Sequence, residues 1–413
     1  MNANNFVNAV EKFKTHYQET VICGLKSFPP EVIQKAACFL QSVLKHQGTL
    51  YIFGNGGSYA LARHFEANLK EGLKNSSTRL RSNCGIDPCA QVRSKNGFAN
   101  VFVNVLKTEK VNVKDAVLLI SGSGDSDNLI RAARYAHKRG VATISVSGFG
   151  GGKISRNETD LAITVPIDDQ QIVEDAIQPL LRLIAEAAAT LAQRKPLNIN
   201  RSLKTCVRQI SKCLCIVGGS FVLSLARAVC ETFSGYRGVY ILAPEGGRLS
   251  LSAEHTAHNF NWDAVYQIKC PPQRRIYTTA TSCDFSGISN DRLVPGIVPV
   301  QQLDKARAGD LLLLFAHNPQ TPSVMNVLHK AKRQKMEIFL VSGKTCSKIP
   351  GVKGISLGSP SATATPDLIQ MLGHVTARVV RLCLKQKLGE EIKGHIATVL
   401  IEQDMAQRRL LGK

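Results

Sequence analysis

The sequence contains no apolar run that approaches the roughly 18 residues of a membrane-spanning helix. Its N-terminus is polar and of mixed charge, so we expect neither a membrane partner nor a signal peptide. The 12 cysteines form no Cys-x-x-Cys pair and no zinc-finger spacing, which argues against a redox dithiol and a structural zinc site. We expect most of them to be buried, reduced thiols of a cytoplasmic protein, with Cys213 and Cys215 on a strand.

Acidic residues are scarce as well. The chain has 31 Asp and Glu against 52 Lys and Arg, a formal charge of +21, and two thirds of this excess lies beyond residue 200. Such a balance favours anionic partners such as sugar phosphates, nucleotides or nucleic acid, although general solubility is the alternative reading. No run of Arg and Lys is interleaved with aromatic residues, so nucleic acid is not expected to be the partner.

Two glycine- and serine-rich loops stand out in the first half: residues 53–58 read FGNGGS and residues 120–126 read ISGSGDS. Each loop follows a short apolar run and precedes a helix-like segment. Backbone N–H groups, serine hydroxyls and a helix N-terminus would then converge on one place, which is the chemistry that holds a phosphate. The two loops predict a phosphorylated ligand, but they supply no catalytic chemistry by themselves.

The chain also contains an internal repeat. Residues 115–120 (DAVLLI) return 195 residues later as 310–315 (DLLLLF), and the same offset carries the triplet VSG at 146–148 onto 341–343. Gly56-Gly57-Ser58 is matched to Gly218-Gly219-Ser220 at a shorter offset. The second copy is therefore expected to carry an insert near residues 235–272.

Apolar runs rich in β-branched residues alternate with amphipathic segments, which is typical of parallel sheets covered by helices. The predicted fold class is α/β, with two three-layer α/β/α domains, each built on a mainly parallel sheet. N-terminal helices are expected over about residues 5–46, divided by Pro29-Pro30. The expected domains are 1–197 and 198–389, with a linker at 198–204 and a helical tail at 390–413. The predicted strands are 50–53, 116–121, 143–146 and 161–165 in the first domain and 213–217, 311–315 and 338–341 in the second.

Five motifs of the first half occur together: residues 54–58 (GNGGS), 62–65 (ARHF), 96–102 (NGFANVF), 121–128 (SGSGDSDN) and 147–153 (SGFGGGK). With them the first half resembles the sugar isomerase (SIS) family, in its phosphoheptose isomerase branch, over about residues 5–190. The second half resembles a diverged copy of the same domain. The resemblance implies a five-stranded parallel sheet flanked by helices and a homo-oligomer built by packing N-terminal helices.

In that family the two loops hold the phosphate of a sugar phosphate. Carried over to this chain, the resemblance implies these phosphate ligands: Asn55, Gly57, Ser58, Ser121, Ser123 and Ser126. Helix capping is an alternative reading, because Ser126 or Asp125 can cap the helix that follows. The two roles are compatible.

The resemblance also implies catalytic residues on two helices, and here the chain departs from the family. His64 takes the place of the motif histidine, but the Glu expected four residues later is Asn68, whose amide cannot accept a proton at neutral pH. On the late helix Gln171 fits the family's glutamine, whereas the histidine expected eight residues later is Pro179. The family often holds zinc with this set, so zinc enters only through the resemblance; the cofactor is unknown and no metal ligand is assigned.

Two further positions are ambiguous. Shifting the late-helix match by one residue selects Gln170 and Gln178, which still supplies no base. The aspartate that follows the family's middle strand corresponds to Gly85, with Asp87 nearby.

The second copy departs differently. Its phosphate loop, residues 316–321, reads AHNPQT, with Pro319 where a free N–H is wanted, and its motif positions fall on Ala226 and Cys230. It keeps three polar candidates of the catalytic side: Asp284, Gln370 and His374. Because family sites lie between subunits, these residues can complete a composite site with the first copy. The alternative is that the second copy is a packing scaffold.

Residues 254–258 (EHTAH) lie within the expected insert. On a helix Glu254 or His255 would share a face with His258, but the further ligands of a metal site are missing, so we expect an exposed or substrate-facing loop. Asp125 replaces the family's usual asparagine. A carboxylate beside a phosphate is repulsive unless it points away or meets a cation, a hydroxyl or an amine of the ligand.

The predicted function is binding of a sugar phosphate, or a related anionic carbohydrate derivative, by the first domain. If the protein is an enzyme, the expected reaction is aldose–ketose isomerisation of a phosphosugar such as sedoheptulose 7-phosphate. Two alternatives stay open: a noncatalytic SIS regulator that binds a protein partner, and a transferase or deaminase that acts on amino sugars.

Overall fold

The computed structural model describes residues 3–74, 81–83, 97–156, 158–217, 220–235, 237–261, 276–278, 297–345, 348–359 and 361–387. The chain divides into two compact units. Residues 19–208 form the first unit, and residues up to 18 together with those from 209 onward form the second unit. Each unit is built on its own sheet.

Two helices open the chain, as predicted. Helix α1 spans Ala3–Lys26 and α2 spans Pro30–Lys45. Pro29 precedes α2 with ψ 133°, an extended conformation that the residue before a proline favours, and Pro30 begins the helix, where its missing N–H costs nothing.

The first unit holds a five-stranded parallel sheet in the order β2-β1-β3-β4-β5. Its strands are β1 (Thr49–Gly54), β2 (Arg81–Asn83), β3 (Ala116–Ser121), β4 (Ala142–Ser147) and β5 (Leu161–Thr164). Its further helices are α3 (Gly57–Leu73), α4 (Val101–Thr108), α5 (Asp127–His137), α6 (Gln170–Ala192) and the start of α7 (Ile199–Val217). The four strands predicted for the first domain are confirmed to within one residue at each end.

The second unit repeats this arrangement with the order β10-β9-β8-β6-β7, again parallel throughout. Its strands are β6 (Val239–Leu242), β7 (Ile276–Thr278), β8 (Leu311–Ala316), β9 (Glu337–Ser342) and β10 (Lys353–Ser356). Its helices after α7 are α8 (Ser220–Ser234), α9 (Arg248–Phe260), α10 (Ile297–Gln302), α11 (Pro322–Arg333) and α12 (Thr365–Lys387). The α/β fold class with two parallel sheets is confirmed.

One buried aspartate marks the same place in both sheets. Asp115 accepts hydrogen bonds from the N–H of Thr49 at 2.7 Å and of Asn112 at 2.9 Å. Asp310 accepts them from the N–H of Gly238 at 2.8 Å and of Arg307 at 2.7 Å. Strands β1 and β6 are therefore equivalent. At the beginning of each, a backbone N–H donates to the aspartate that directly precedes the neighbouring strand, β3 or β8.

This equivalence corrects the sequence match of the second copy. The counterpart of the GNGGS loop is the loop after β6, with Gly246 and Gly247 before α9, and Gly218-Gly219-Ser220 is not its counterpart. Gly56 and Gly247 share one backbone conformation, with φ/ψ of 52°/−122° and 57°/−132°. Residues 239–260, which were expected to belong to an insert, form the first strand and first helix of the second sheet.

The expected strand at 213–217 is wrong, and so is the linker at 198–204, because residues 199–204 and 213–217 belong to α7. Cys206, Ile210, Cys213 and Leu214 are buried, which is a helical spacing, and basic residues occupy the opposite, exposed face. The apolar end of an amphipathic helix therefore looked like a strand. Asp284, Gly85, Asp87 and the predicted tail lie outside the described residues.

No single helix in the described ranges is long and apolar enough to cross a membrane. One bent pair, Ile199–Cys215 with Ser220–Phe233, meets the length and composition criteria when the two are taken together.

Candidate functional site

The two glycine- and serine-rich loops lie side by side, because they follow adjacent parallel strands. Gly54 at the end of β1 pairs in register with Ile120 near the end of β3. A Cβ atom at Gly54 would lie 2.4 Å from the carbonyl oxygen of Ser58, so only glycine fits this turn. Ligands of parallel sheets bind at this carboxyl edge, where α3 and α5 begin.

A pair of side-chain amides ties the loops together. The Nδ2 of Asn55 donates to Oδ1 of Asn128 at 3.0 Å, and Nδ2 of Asn128 donates back to Oδ1 of Asn55 at 2.9 Å. Asn128 is buried at the start of α5. Asn55, predicted as a phosphate ligand, thus lies where the two loops meet, and its side-chain amide is hydrogen-bonded to Asn128 of α5.

Serine hydroxyls shape the second loop from inside. Ser121 Oγ accepts the N–H of Gly124 at 3.0 Å and lies 3.4 Å from Ser126 Oγ, and Ser123 Oγ accepts the N–H of Asp125 at 3.2 Å. Each hydroxyl that accepts a bond still has its own proton to donate. Within the part of the chain that the structure describes, no hydrogen bond uses the N–H of Gly122 or of Ser123.

The carboxylate of Asp125 points away from this loop. It accepts the backbone N–H of Lys153 at 3.0 Å and so links the loop to the one that follows β4. Ser126 takes the N-cap position of α5 without a side-chain cap bond, so its hydroxyl is not used for capping. The repulsion expected between a phosphate and Asp125 is relieved because the side chain turns to a neighbouring backbone.

Helix α6 brings two side chains over the loops. A Cβ atom at Gly122 would lie 2.1 Å from Nε2 of Gln170, which donates to Oε1 of Glu174 at 2.7 Å. A Cβ atom at Gly57 would lie 2.5 Å from both carboxylate oxygens of Glu174. These contacts place Glu174 between the beginnings of α3 and α6, next to both loops. Its side chain is buried there, with the residue only 5% exposed.

Glu174 is the functional candidate that the sequence reading missed, since the family's base was sought on α3. Gln171, the predicted catalytic-side glutamine, is half-buried on α6, and its backbone N–H is capped by Asp169. One signal in the sequence points to Glu174. It follows Gln170 by one helical turn, and Gln170 is the residue selected when the late-helix match is shifted by one position.

His64 lies deeper between the helices. The close contacts of Gly57 with Glu174 and of Gly72 with Ala189 show that α3 and α6 run parallel and in contact. His64 follows Gly57 by two turns, about 10 Å along the axis, and is 1% exposed. Buried polar residues continue along both helices: Asn68, Asp175, Gln178 and Arg182.

The second unit has a carboxylate in its corresponding loops. Glu245, in the loop after β6, accepts the backbone N–H of His317 and the N–H of Asn318, the latter at 3.2 and 3.3 Å. Burial raises the pKa of Glu245, and the two N–H bonds and nearby Lys344 oppose part of that effect. Burial lowers the pKa of His317, whose Nδ1 lies 2.7 Å from Thr365 Oγ1.

The second unit also brings two histidines together. His255 is the eighth residue of α9, as His64 is of α3, and each is followed four residues later by a buried asparagine, Asn259 or Asn68. The rings of His255 and His374 meet edge to face, 5.0 Å between centroids, with Gln370 buried one turn before His374. In the second copy the counterpart of the motif histidine is therefore His255, so the placement of the motif at Ala226 and Cys230 is wrong. The expected loop at residues 254–258 is wrong as well, because these residues belong to α9 and His255 is buried.

Comparisons with known proteins agree with this architecture. The sequence profile of the SIS domain matches residues 17–148, and a second SIS domain profile matches residues 107–191. The chain is 32% identical over 172 residues to the phosphoheptose isomerase of Helicobacter pylori, covering 41% of this chain and 88% of the relative. The chain belongs to the SIS domain family. It is also 32% identical over 165 residues to the phosphoheptose isomerase of Edwardsiella ictaluri, covering 85% of that protein.

Among solved structures, the C-terminal domain of glucosamine-fructose-6-phosphate aminotransferase from Francisella tularensis superposes with a TM-score of 0.58. The superposition covers 89% of this chain and 94% of that one, at 11% sequence identity. At this identity the likeness concerns the fold alone. It extends over both units.

The residues within each unit do not reproduce the zinc set of the SIS family. Within either unit taken by itself, the described residues bring no three His, Cys, Asp or Glu side chains close enough to share an ion. In the first unit Asn68 stands where the family's Glu is expected, and Pro179 lies inside α6 where its His is expected. We therefore derive no catalytic step through a metal.

Proposed function

We propose that the first unit binds a sugar phosphate at the carboxyl edge of its sheet. The observation that carries this proposal is the pair of N–H groups at Gly122 and Ser123, which no hydrogen bond among the described residues uses. Two N–H groups of consecutive residues are a preferred cradle for phosphate oxygens. Ser58, Ser121 and Ser126 add hydroxyl donors around them, and the relatives that match this unit are phosphoheptose isomerases.

We further propose aldose–ketose isomerisation as the reaction. Such a reaction moves a proton between the two carbons at the carbonyl end of the sugar, through an enediol, and so needs a base that takes and returns it. Glu174 is our candidate for this base, because its carboxylate lies against Gly57 and is oriented by Gln170. Asn68 cannot take this role. His64 and Gln171 stay candidates for the polar groups around the sugar.

A thermal-shift experiment tests the binding step. The purified chain is heated with sedoheptulose 7-phosphate and other phosphosugars, with the free sugars, and with inorganic phosphate. We expect one phosphosugar to raise the melting temperature, its free sugar to have no effect, and the Ser121→Ala, Ser123→Ala double variant to lose the rise. Ser155→Ala, on the neighbouring loop, is a control that should keep it.

An unchanged rise in a folded double variant would contradict the assignment of the loop as a phosphate site. Absence of any rise with the wild-type chain would contradict sugar-phosphate binding itself. We also propose, from the family resemblance, a cytoplasmic homo-oligomer; light scattering after size exclusion gives the mass that tests the oligomer.

A further inference from the structure

The loop after β8 corresponds to the phosphate-type loop after β3 at the two residues that follow each strand. The backbones differ at the next position, where Gly124 has a φ of 73° that the ring of Pro319 does not allow. Ser121 and Ala316 are equivalent ends of β3 and β8, since they pair with Ser147 and Ser342 in the same register. Two residues further on, the side chain accepts the N–H of the second residue after it in both loops. Ser123 Oγ accepts the N–H of Asp125 at 3.2 Å, and Asn318 Oδ1 accepts the N–H of Gln320 at 3.2 Å.

Pro319 does not remove a ligand-facing donor, contrary to the expectation from sequence. Its counterpart in the first loop is Gly124, whose N–H is already used by Ser121 Oγ at 3.0 Å. The donors that matter are those of Gly122 and Ser123, and their counterparts are His317 and Asn318. Both of these residues have an N–H, so the second loop retains the same pair of donors.

An acid from the same unit occupies that pair. The carboxylate of Glu245 accepts the N–H of His317 through Oε2 and the N–H of Asn318 through both oxygens, at 3.2 and 3.3 Å. Glu245 is half-buried and comes from the loop after β6, the loop that corresponds to GNGGS. A carboxylate and a phosphate present similar oxygen acceptors to two neighbouring N–H groups.

We propose that the second unit contains a latent phosphate site whose place is held by the side chain of Glu245. In the native chain the carboxylate satisfies His317 and Asn318 and excludes a phosphomonoester by occupying its position and by its negative charge. Removal of the carboxylate leaves two half-buried donors without an acceptor, a state that an inorganic phosphate or phosphomonoester relieves. The proposal rests on the proposed function only in taking the first unit's loop as a phosphate loop.

The experiment uses the full chain with Ser121→Ala and Ser123→Ala, so that the first unit does not contribute. Inorganic phosphate is titrated by calorimetry into this parent and into the same chain with Glu245→Ala. We expect at least about tenfold tighter phosphate binding after the added substitution. Glu337→Gln, which removes a charge from the same unit at a surface pair with Lys353, is the matched control and should leave binding unchanged.

Hydrogen exchange locates the effect. The amides of His317 and Asn318 should exchange slowly in the parent, faster in the Glu245→Ala chain, and slowly again with saturating phosphate. If the alanine variant does not fold, Glu245→Gln takes its place, since it keeps the side-chain volume and removes the charge; we expect it to gain phosphate affinity to a smaller extent.

A folded Glu245 variant with no gain in phosphate affinity would overturn the latent site. A gain without renewed protection of His317 and Asn318 would overturn it too, because phosphate would then bind elsewhere. Loss or retention of binding in the first unit is read separately, from the wild-type chain against the serine double variant, so the failure of one proposal is distinguished from the failure of the other.

Discussion

At the scale of single residues, this site depends on backbone geometry more than on reactive side chains. Gly54 is required because any side chain would meet the carbonyl of Ser58, and Gly57 leaves the space that the carboxylate of Glu174 fills. Ser121 and Ser123 hold their loop by accepting backbone N–H groups. Ser121 and Ser123, which the sequence predicts as phosphate ligands, therefore also stabilise the conformation of their own loop.

Glu174→Gln is expected to lower kcat for phosphosugar isomerisation by about 10²–10⁴-fold, because the amide cannot accept the carbon-bound proton. Binding should persist, since the change keeps the size of the side chain and its acceptor for Gln170. Turnover, solvent-deuterium exchange at the substrate carbon and the phosphosugar-dependent melting shift measure the two effects separately.

Glu66→Gln is the matched control for this variant. Glu66 is a half-buried carboxylate on α3 that pairs with the exposed Lys70 at 2.9 Å, and its replacement should leave turnover near that of the wild type. A Glu174→Gln chain that keeps full turnover would reject Glu174 as the base. A wild-type chain that binds the phosphosugar without exchanging its proton would reject isomerase activity and leave binding intact.

At the scale of elements, helix α7 shows how a short apolar run misleads. Residues 213–217 are apolar enough for a strand, yet Cys213 and Leu214 continue a stripe of buried residues spaced as on a helix. The strand is instead formed by Val239–Leu242. All four residues are buried, so the segment lacks the alternation of buried and exposed side chains that identifies many strands in a sequence. A run of this length does not distinguish the two structures, and packing against the sheet decides between them.

Thiol labelling distinguishes a helix from a strand at this place. In a strand, Cys213 and Cys215 would point to the same side, whereas on a helix they lie about 200° apart. Cys213 is buried, which raises its pKa to about 12, while Cys215 is exposed. We expect iodoacetamide at pH 8 to modify Cys215 in the folded chain and Cys213 only after unfolding.

Mass spectrometry of digested protein, with and without denaturant, measures this pattern. The two thiols provide the control for each other, because they differ by two positions in the sequence and share the same helix. Equal labelling of both in the native chain would contradict the helical assignment.

At the scale of the whole molecule, the two sheets have the same strand order, but the equivalent loops differ in whether their backbone donors are occupied. The first unit leaves a pair of donors at Gly122 and Ser123, and the second unit occupies the equivalent pair with Glu245. The +21 charge of the chain does not free this second pair of donors for an anion, because the hydrogen bonds to Glu245 outweigh a diffuse field that salt screens.

Isothermal titration of the wild-type chain should therefore yield about one phosphosugar per chain, since the second set of donors is satisfied internally. The active fraction of protein is fixed beforehand by quantitative amino-acid analysis. Two equivalent sites per chain would contradict the occupation of the second loop by Glu245.

The sequence by itself determined the family, the two-sheet α/β class and the first unit's loops, because each depends on local signals. Alternating apolar runs predict strands, and glycine with serine before a helix predicts an anion-binding turn wherever the pattern occurs. Loops 53–58 and 120–126 carry this pattern.

Only the tertiary structure decided which residues meet. Glu174 lies more than a hundred residues from Gly57 in the chain, and Glu245 lies 72 from His317, yet each pair is in contact. Such pairs are set by strand order and helix packing, which bring together positions that share no local pattern. For the same physical reason the counterpart of His64 was recognised as His255 only when the register of the two sheets was compared.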